Sequence, residues 1–132
     1  LKQFRSEMNV GEIRDRNVHI FIEEPELSLY PESQKSLMDF LVDRCFHKPH
    51  DYNMTLMIAT HSPYIVNYLN LLIKRNEAGG NTPYRMAFED INAYEICGGT
   101  ANSLRIDDGH RIINATSLSD PISSIYSEYN AI

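Results

Sequence analysis

The sequence is poor in cysteine, has no long apolar run and carries no surplus of positive charge. Its two cysteines, Cys45 and Cys97, form no C-x-x-C pair, which argues against a zinc knuckle or a dithiol redox motif. A reduced, cytoplasmic compartment is therefore expected. No apolar stretch approaches the roughly 20 residues needed to span a bilayer, and Leu1-Lys2-Gln3-Phe4-Arg5 is not a signal peptide. No membrane partner is expected. The net charge of −6 argues against a broad electrostatic grip on nucleic acid, though not against DNA as a partner of a larger assembly. The chain does not open on methionine, as expected of a piece of a longer protein. With 132 residues, 42% of them hydrophobic, it can bury a core that needs no disulfide.

The residues present alternate between strand and helix signals. Residues 1–17 are mixed and charged, as in the end of a helix followed by a loop. Val18-His19-Ile20-Phe21-Ile22 is short, apolar and β-branched, the pattern of a buried strand. It runs into the acidic, proline-broken turn Glu23-Glu24-Pro25-Glu26. Pro31 suits a first helical position and Glu32 the positive end of a helix. Leu37, Phe40, Leu41 and Cys45 then make one apolar stripe. After a polar loop containing Pro49, Thr55-Leu56-Met57-Ile58-Ala59-Thr60 is a second buried strand. Ser62-Pro63 opens another helix as N-cap and N1, with Ile65, Leu69, Leu72 and Ile73 as its stripe, Lys74 and Arg75 near its end and Gly79-Gly80 beyond it. Strand, helix, strand, helix with short links predicts a parallel βαβ unit over 18–80.

Residues 81–132 have a different texture. Ala93–Cys97 and Ser103–Ile106 are strand-like, and Asp108-Gly109 predicts a hairpin turn into Arg111-Ile112-Ile113. Asp120 is expected to cap a short closing helix that runs to Tyr129. Arg105 and Arg111 are expected to face each other across the hairpin, His47, His50 and His110 to be surface residues, and Tyr126 and Tyr129 to serve core or subunit packing.

Two features carry chemistry. Glu23 and Glu24 stand together at the end of a buried strand, and the strand ends of parallel sheets are where ligands bind. Because strand neighbours point opposite ways, one acid can hold a hydrated Mg²⁺ while the other orients a water for attack on a phosphate. His61 follows the second strand and precedes a helix N-terminus, a position suited to phosphate contact. Taken alone, the acids suit an inert charged turn and the histidine a structural role. Together they lie at the same end of one βαβ unit.

Ile20-Phe21-Ile22-Glu23-Glu24-Pro25-Glu26-Leu27-Ser28-Leu29-Tyr30-Pro31, followed by Gln34 and Leu37, resembles the Walker B and D-loop segment of ABC-type P-loop ATPases. The similarity is strongest to the OLD, RecF and SMC branch, whose members act on DNA or in phage defence. Ile58-Ala59-Thr60-His61-Ser62-Pro63 resembles that branch's H-loop. The likeness covers roughly 18–75 and implies an α/β fold: part of a P-loop NTPase parallel sheet, with a C-terminal β-hairpin and short helix. It implies that Glu23 holds Mg²⁺ through water, that Glu24 is the catalytic base, and that His61 contacts the γ-phosphate of ATP. Glu26, Leu27 and Ser28 would lie in the D-loop, facing the nucleotide across a homodimer interface. Glu23 departs from the aspartate usual at its place in ABC ATPases at large, while glutamate is familiar in the OLD-like branch.

The phosphate-gripping part is missing. The sequence has no Gly-Lys pair and so no G-x-x-x-x-G-K-[ST] loop, and no L-S-x-G-type signature. The resemblance thus implies the C-terminal half of an ATPase, inactive alone and completed by a Walker A-containing N-terminal half, a second subunit and, in the full system, DNA or an effector nuclease. Without the neighbouring strand, the sheet would keep an open apolar edge, and self-association or rearrangement of strands is expected. Two alternatives remain. One is a non-enzymatic module that docks through Leu27, Leu29 and Tyr30; the other is a metal-dependent phosphodiesterase using Glu23, Glu24 and His61, for which these ligands are few.

Overall fold

A computed structural model of the chain describes residues 16–47 and 52–132. The expected helix end and loop over 1–17 lie almost wholly outside the described residues, as do Pro49 and His50. Strand β1 (Asn17–Glu23) pairs in parallel with β2 (Asn53–Ala59), from Asn17 opposite Asn53 to Glu23 opposite Ala59. Helix α1 (Pro31–Val42) links them and continues into a π-helical turn, Asp43–His47. Helix α2 (Pro63–Glu77) follows β2.

Period-two alternation explains both strands. Val18, Ile20 and Ile22, with Met54, Leu56 and Ile58, form one half-buried face; the residues between them are exposed. Both strands were expected to be buried throughout. Instead Phe21 is 56% and Met57 58% exposed, because among the described residues the helices cover a single face of this sheet.

The helix starts follow the local chemistry. Pro31 occupies the first turn of α1, where its missing N–H costs no helical bond. The Ser62 hydroxyl accepts from the Ile65 amide at 3.4 Å and caps α2. Lys74 and Arg75 lie in the last turn of α2, and Gly79, with φ of 65°, takes the left-handed conformation beyond it. The buried face of α1 is Gln34, Met38, Leu41 and Val42, continued by Cys45 in the π turn. Phe40 was expected in that stripe but is 56% exposed. The stripe passes through 34, 38, 41 and 45, one step round the helix, and the Phe40 ring instead lies under the Arg44 guanidinium, 5.5 Å from its centroid. Met38, Leu41 and Val42 meet Ile65, Tyr68 and Leu72 of α2 in the first core cluster, with Ile22, Leu56 and Ile58 packed against it.

The C-terminal part differs from expectation in three ways. Two antiparallel hairpins form instead of one: β3 (Tyr94–Cys97) with β4 (Thr100–Ser103), and β5 (Arg105–Asp107) with β6 (Arg111–Ile113). Gly98 and Gly99 turn the first, both at positive φ. Arg105 and Arg111 do not pair, since the register sets Arg105 opposite Ile113 and Arg111 opposite Asp107; both guanidiniums lie over the buried Phe88 ring, at 4.3 and 5.2 Å. Helix α3 (Thr116–Ala131) begins before Asp120 and runs through Pro121. Asn114 Oδ1 accepts from the Thr116 amide at 3.0 Å, a local turn that leads the chain into the helix upstream of Asp120. Among the described residues Tyr126 and Tyr129 join neither core cluster; they are 65% and 74% exposed. A second core cluster of Val66, Ile73, Phe88, Ile91 and Ile113 ties the hairpin region to α2.

Candidate functional site

Parallel pairing in register brings the C-terminal ends of β1 and β2 to one level, and the acids and the histidine leave the sheet there. Glu23 is the last residue of β1 and belongs to the exposed face with His19 and Phe21. Glu24 does not continue the alternation expected of it. Its φ is 43°, a left-handed value that a non-glycine residue adopts at a cost of order 1 kcal/mol or more. The amide of Glu24 donates to Ala59 O at 2.8 Å, so the end of β2 holds this conformation. Such backbone concentrates at functional positions. From Glu24 the chain enters a tight turn closed by the Leu27 amide on Glu24 O at 3.0 Å and the Leu29 amide on Glu26 O at 2.9 Å, with Ser28 also left-handed at φ 64°.

Glu24 and His61 come together. Glu24 Oε1 lies 3.9 Å from His61 Nε2, and the two side chains are 50% and 90% exposed. That spacing leaves both groups open to a third one. A carboxylate at a strand end beside an imidazole at a helix N-terminus can take a proton from a water and contact an anion.

Glu26, Leu27 and Ser28 separate by role. Leu27 is 70% exposed and Ser28 is exposed. Glu26 instead turns onto its own chain. Its Oε1 accepts from the Thr60 hydroxyl at 2.7 Å and from the His61 amide at 3.0 Å. Burial pushes the Glu26 carboxyl up, but these bonds, a backbone bond of its own and the nearby His61 outweigh it and hold the group below the ordinary carboxylate value. Its Oε2 is buried with no hydrogen-bond partner among the described residues, an arrangement that costs stability unless a water or another group reaches it. Behind Glu26, Thr60 Oγ1 accepts from the Ser62 amide at 2.9 Å, the Ser62 hydroxyl donates to Gln34 Oε1, and Gln34 Nε2 donates to Leu29 O at 3.1 Å. Gln34 is 8% exposed, a buried polar residue in an otherwise apolar stripe. That interruption was the sequence signal for this network, whereas nothing local in the sequence pairs Glu26 with Thr60.

Among the described residues no three His, Cys, Asp or Glu side chains converge as metal ligands. The oxygen donors at the strand end suit Mg²⁺, which commonly rests on one or two carboxylates and completes its shell with water and substrate phosphates. Glu23 and Glu24 fit that demand; a two-metal phosphodiesterase gains no further ligand here.

The AAA ATPase domain family matches residues 1–66, half of the chain. Within the described residues the match takes in β1, α1, β2, the loop carrying His61 and the first turn of α2. No curated protein and no solved structure matches.

Proposed function

We propose, from the premise that the chain belongs to the AAA ATPase domain family, that it supplies the metal- and water-handling side of an ATP-hydrolysing site of the ABC type, in the OLD/RecF-like manner. The observation that carries this is the approach of Glu24 to His61 at 3.9 Å where two neighbouring parallel strands end. Glu24 would take the proton of the water that attacks the terminal phosphorus as its bond to the leaving ADP oxygen breaks, His61 would contact the terminal phosphate, and Glu23 would hold Mg²⁺. Bound Mg²⁺-ATP supplies the electrophilic phosphorus and the charge that the ion neutralises. The phosphate-gripping loop, absent from these 132 residues, comes from a Walker A-containing segment, and Leu27 and Ser28 face the second subunit of a dimer. A role in DNA maintenance or phage defence rests on the resemblance of the two motifs alone.

The chain mixed with its Walker A-containing partner is expected to hydrolyse ATP in the presence of Mg²⁺. Glu24→Gln should lower kcat about 100-fold or more while ATP binding persists, the scale on which a general base acts. A Glu24→Gln assembly that turns over at the wild-type rate would sink the assignment. One observation favours a second reading, a docking module without catalysis: Leu27 and Tyr30 are 70% and 81% exposed. In that case Glu24→Gln leaves the biological effect intact and substitutions at Leu27 and Tyr30 abolish it.

A further inference from the structure

The loop after β1 and the loop after β2 are joined by side chains to which neither metal binding nor water activation has been assigned. The imidazole of His61 is 90% exposed and forms no hydrogen bond among the described residues. Its place is set by its backbone. That backbone is held from one side by Glu26, whose Oε1 takes both the His61 amide and the Thr60 hydroxyl. From the other side, Ser62 is held by Gln34, which also grips Leu29 O. The connections leave loop 25–30 at Glu26, cross 60–62, and return to the same loop at Leu29. Loop 25–30, carrying exposed Leu27 and Tyr30, and the loop carrying His61 therefore form one unit.

We propose that Glu26 is a positioning residue, whose carboxylate fixes the His61 backbone and with it the spacing between the His61 imidazole and Glu24, while Gln34 secures the other end of the same unit. Its catalytic consequence rests on the ATPase function proposed above; the positioning itself does not. Reach matters more than charge in this arrangement. The donors are a backbone amide and a hydroxyl, both neutral, and one oxygen at the right distance satisfies them. A carboxylate one methylene shorter keeps the charge and loses the reach.

Two measurements test this. On the chain itself, amide hydrogen exchange at His61 is followed by NMR, with fully buried Leu72 reporting an intact fold. Glu26→Asp is expected to speed exchange at His61 about tenfold, the upper end of what the loss of one ordinary hydrogen bond removes. Glu26→Gln, which keeps an oxygen at the same reach, should restore most of the protection. In the ATP-hydrolysing assembly, Glu26→Asp should lower kcat by about tenfold or more with KM for ATP unchanged, and Glu26→Gln should recover most of that loss. The opposite order, with Asp like wild type and Gln impaired, overturns the proposal, because it makes charge the relevant property. Exchange at His61 unaltered by either substitution also overturns it. If Glu26→Asp fails to fold, Glu26→Gln decides alone: fast exchange at His61 in a folded Gln variant is contrary evidence, and wild-type protection is supporting evidence. An assembly that hydrolyses no ATP with the wild-type chain removes the ATPase function, while the exchange data still decide the positioning.

Discussion

Burial alone would raise the Glu26 carboxyl, yet its folded value is lowered because Thr60, the backbone and His61 all favour the ionised form. A lowered folded pKa means that folding prefers the carboxylate. The resulting stability is present above the unfolded pKa of about 4.3 and is lost as pH falls through the folded value. Urea unfolding from about pH 6 down to about pH 3 should therefore show stability falling in acid, and Glu26→Gln should flatten part of that fall. Equal acid slopes for the two proteins would mean that Glu26 is no more favourably placed folded than unfolded. The same carboxylate illustrates what a sequence reading can reach. Glu23, Glu24 and His61 could be singled out as candidates because Glu23 ends β1 while Glu24 and His61 follow closely on β1 and β2, and strand ends can be located from apolar runs. The partners of Glu26 lie 34 and 35 positions away, and only the parallel pairing of β1 with β2 brings them within reach.

Elements were legible where periodicity and capping agreed. Pro31 with Glu32, and Ser62 with Pro63, mark the starts of α1 and α2, and the glycines at 79 and 80 mark the end of α2. The boundary of α3 was less legible, because Asp120-Pro121 is a strong start signal that the structure overrides with an earlier turn at Thr116. Strand exposure was not legible either, since a short apolar run does not reveal whether one or both of its faces are covered. Helix α2 carries the feature least visible in sequence. Asn70 donates through Nδ2 to Ile113 O at 2.8 Å and accepts at Oδ1 from the Ile113 amide at 2.7 Å. Its side-chain amide pairs with β6 much as a neighbouring strand would, and Ile113 is 1% exposed. Asn70→Ala leaves a buried N–H and C=O unpaired, which costs roughly 1–3 kcal/mol. In a chemical-denaturation series the variant should lose stability by that amount, and amides of β5 and β6 should exchange faster than those of β1. An unchanged unfolding midpoint would show that Ile113 is held by packing alone.

Among the described residues, α2 belongs to both core clusters, through Ile65, Tyr68 and Leu72 to α1 and through Val66 and Ile73 to Phe88, Ile91 and, on β6, Ile113. Phe21 and Met57 lie on the side of the sheet away from those cores, exposed among the described residues. Helix α3 stands outside both. It has no buried residue, and Ile122, Ile125, Tyr126 and Tyr129 form an exposed apolar stripe. Among the described residues, Leu118 in its first turn packs against the second cluster. A helix of this length without tertiary contacts is marginal in water, so the part beyond Asp120 contributes little to the stability of one chain. Removing residues 121–132 should change the unfolding free energy by no more than about 0.5 kcal/mol, the range of surface changes that touch no packed group. Denaturation at two protein concentrations is the check. A loss of about 2 kcal/mol or more that grows with concentration would mean that the stripe is buried in an association between chains, and the second subunit proposed at the nucleotide would then have a second point of contact on this helix.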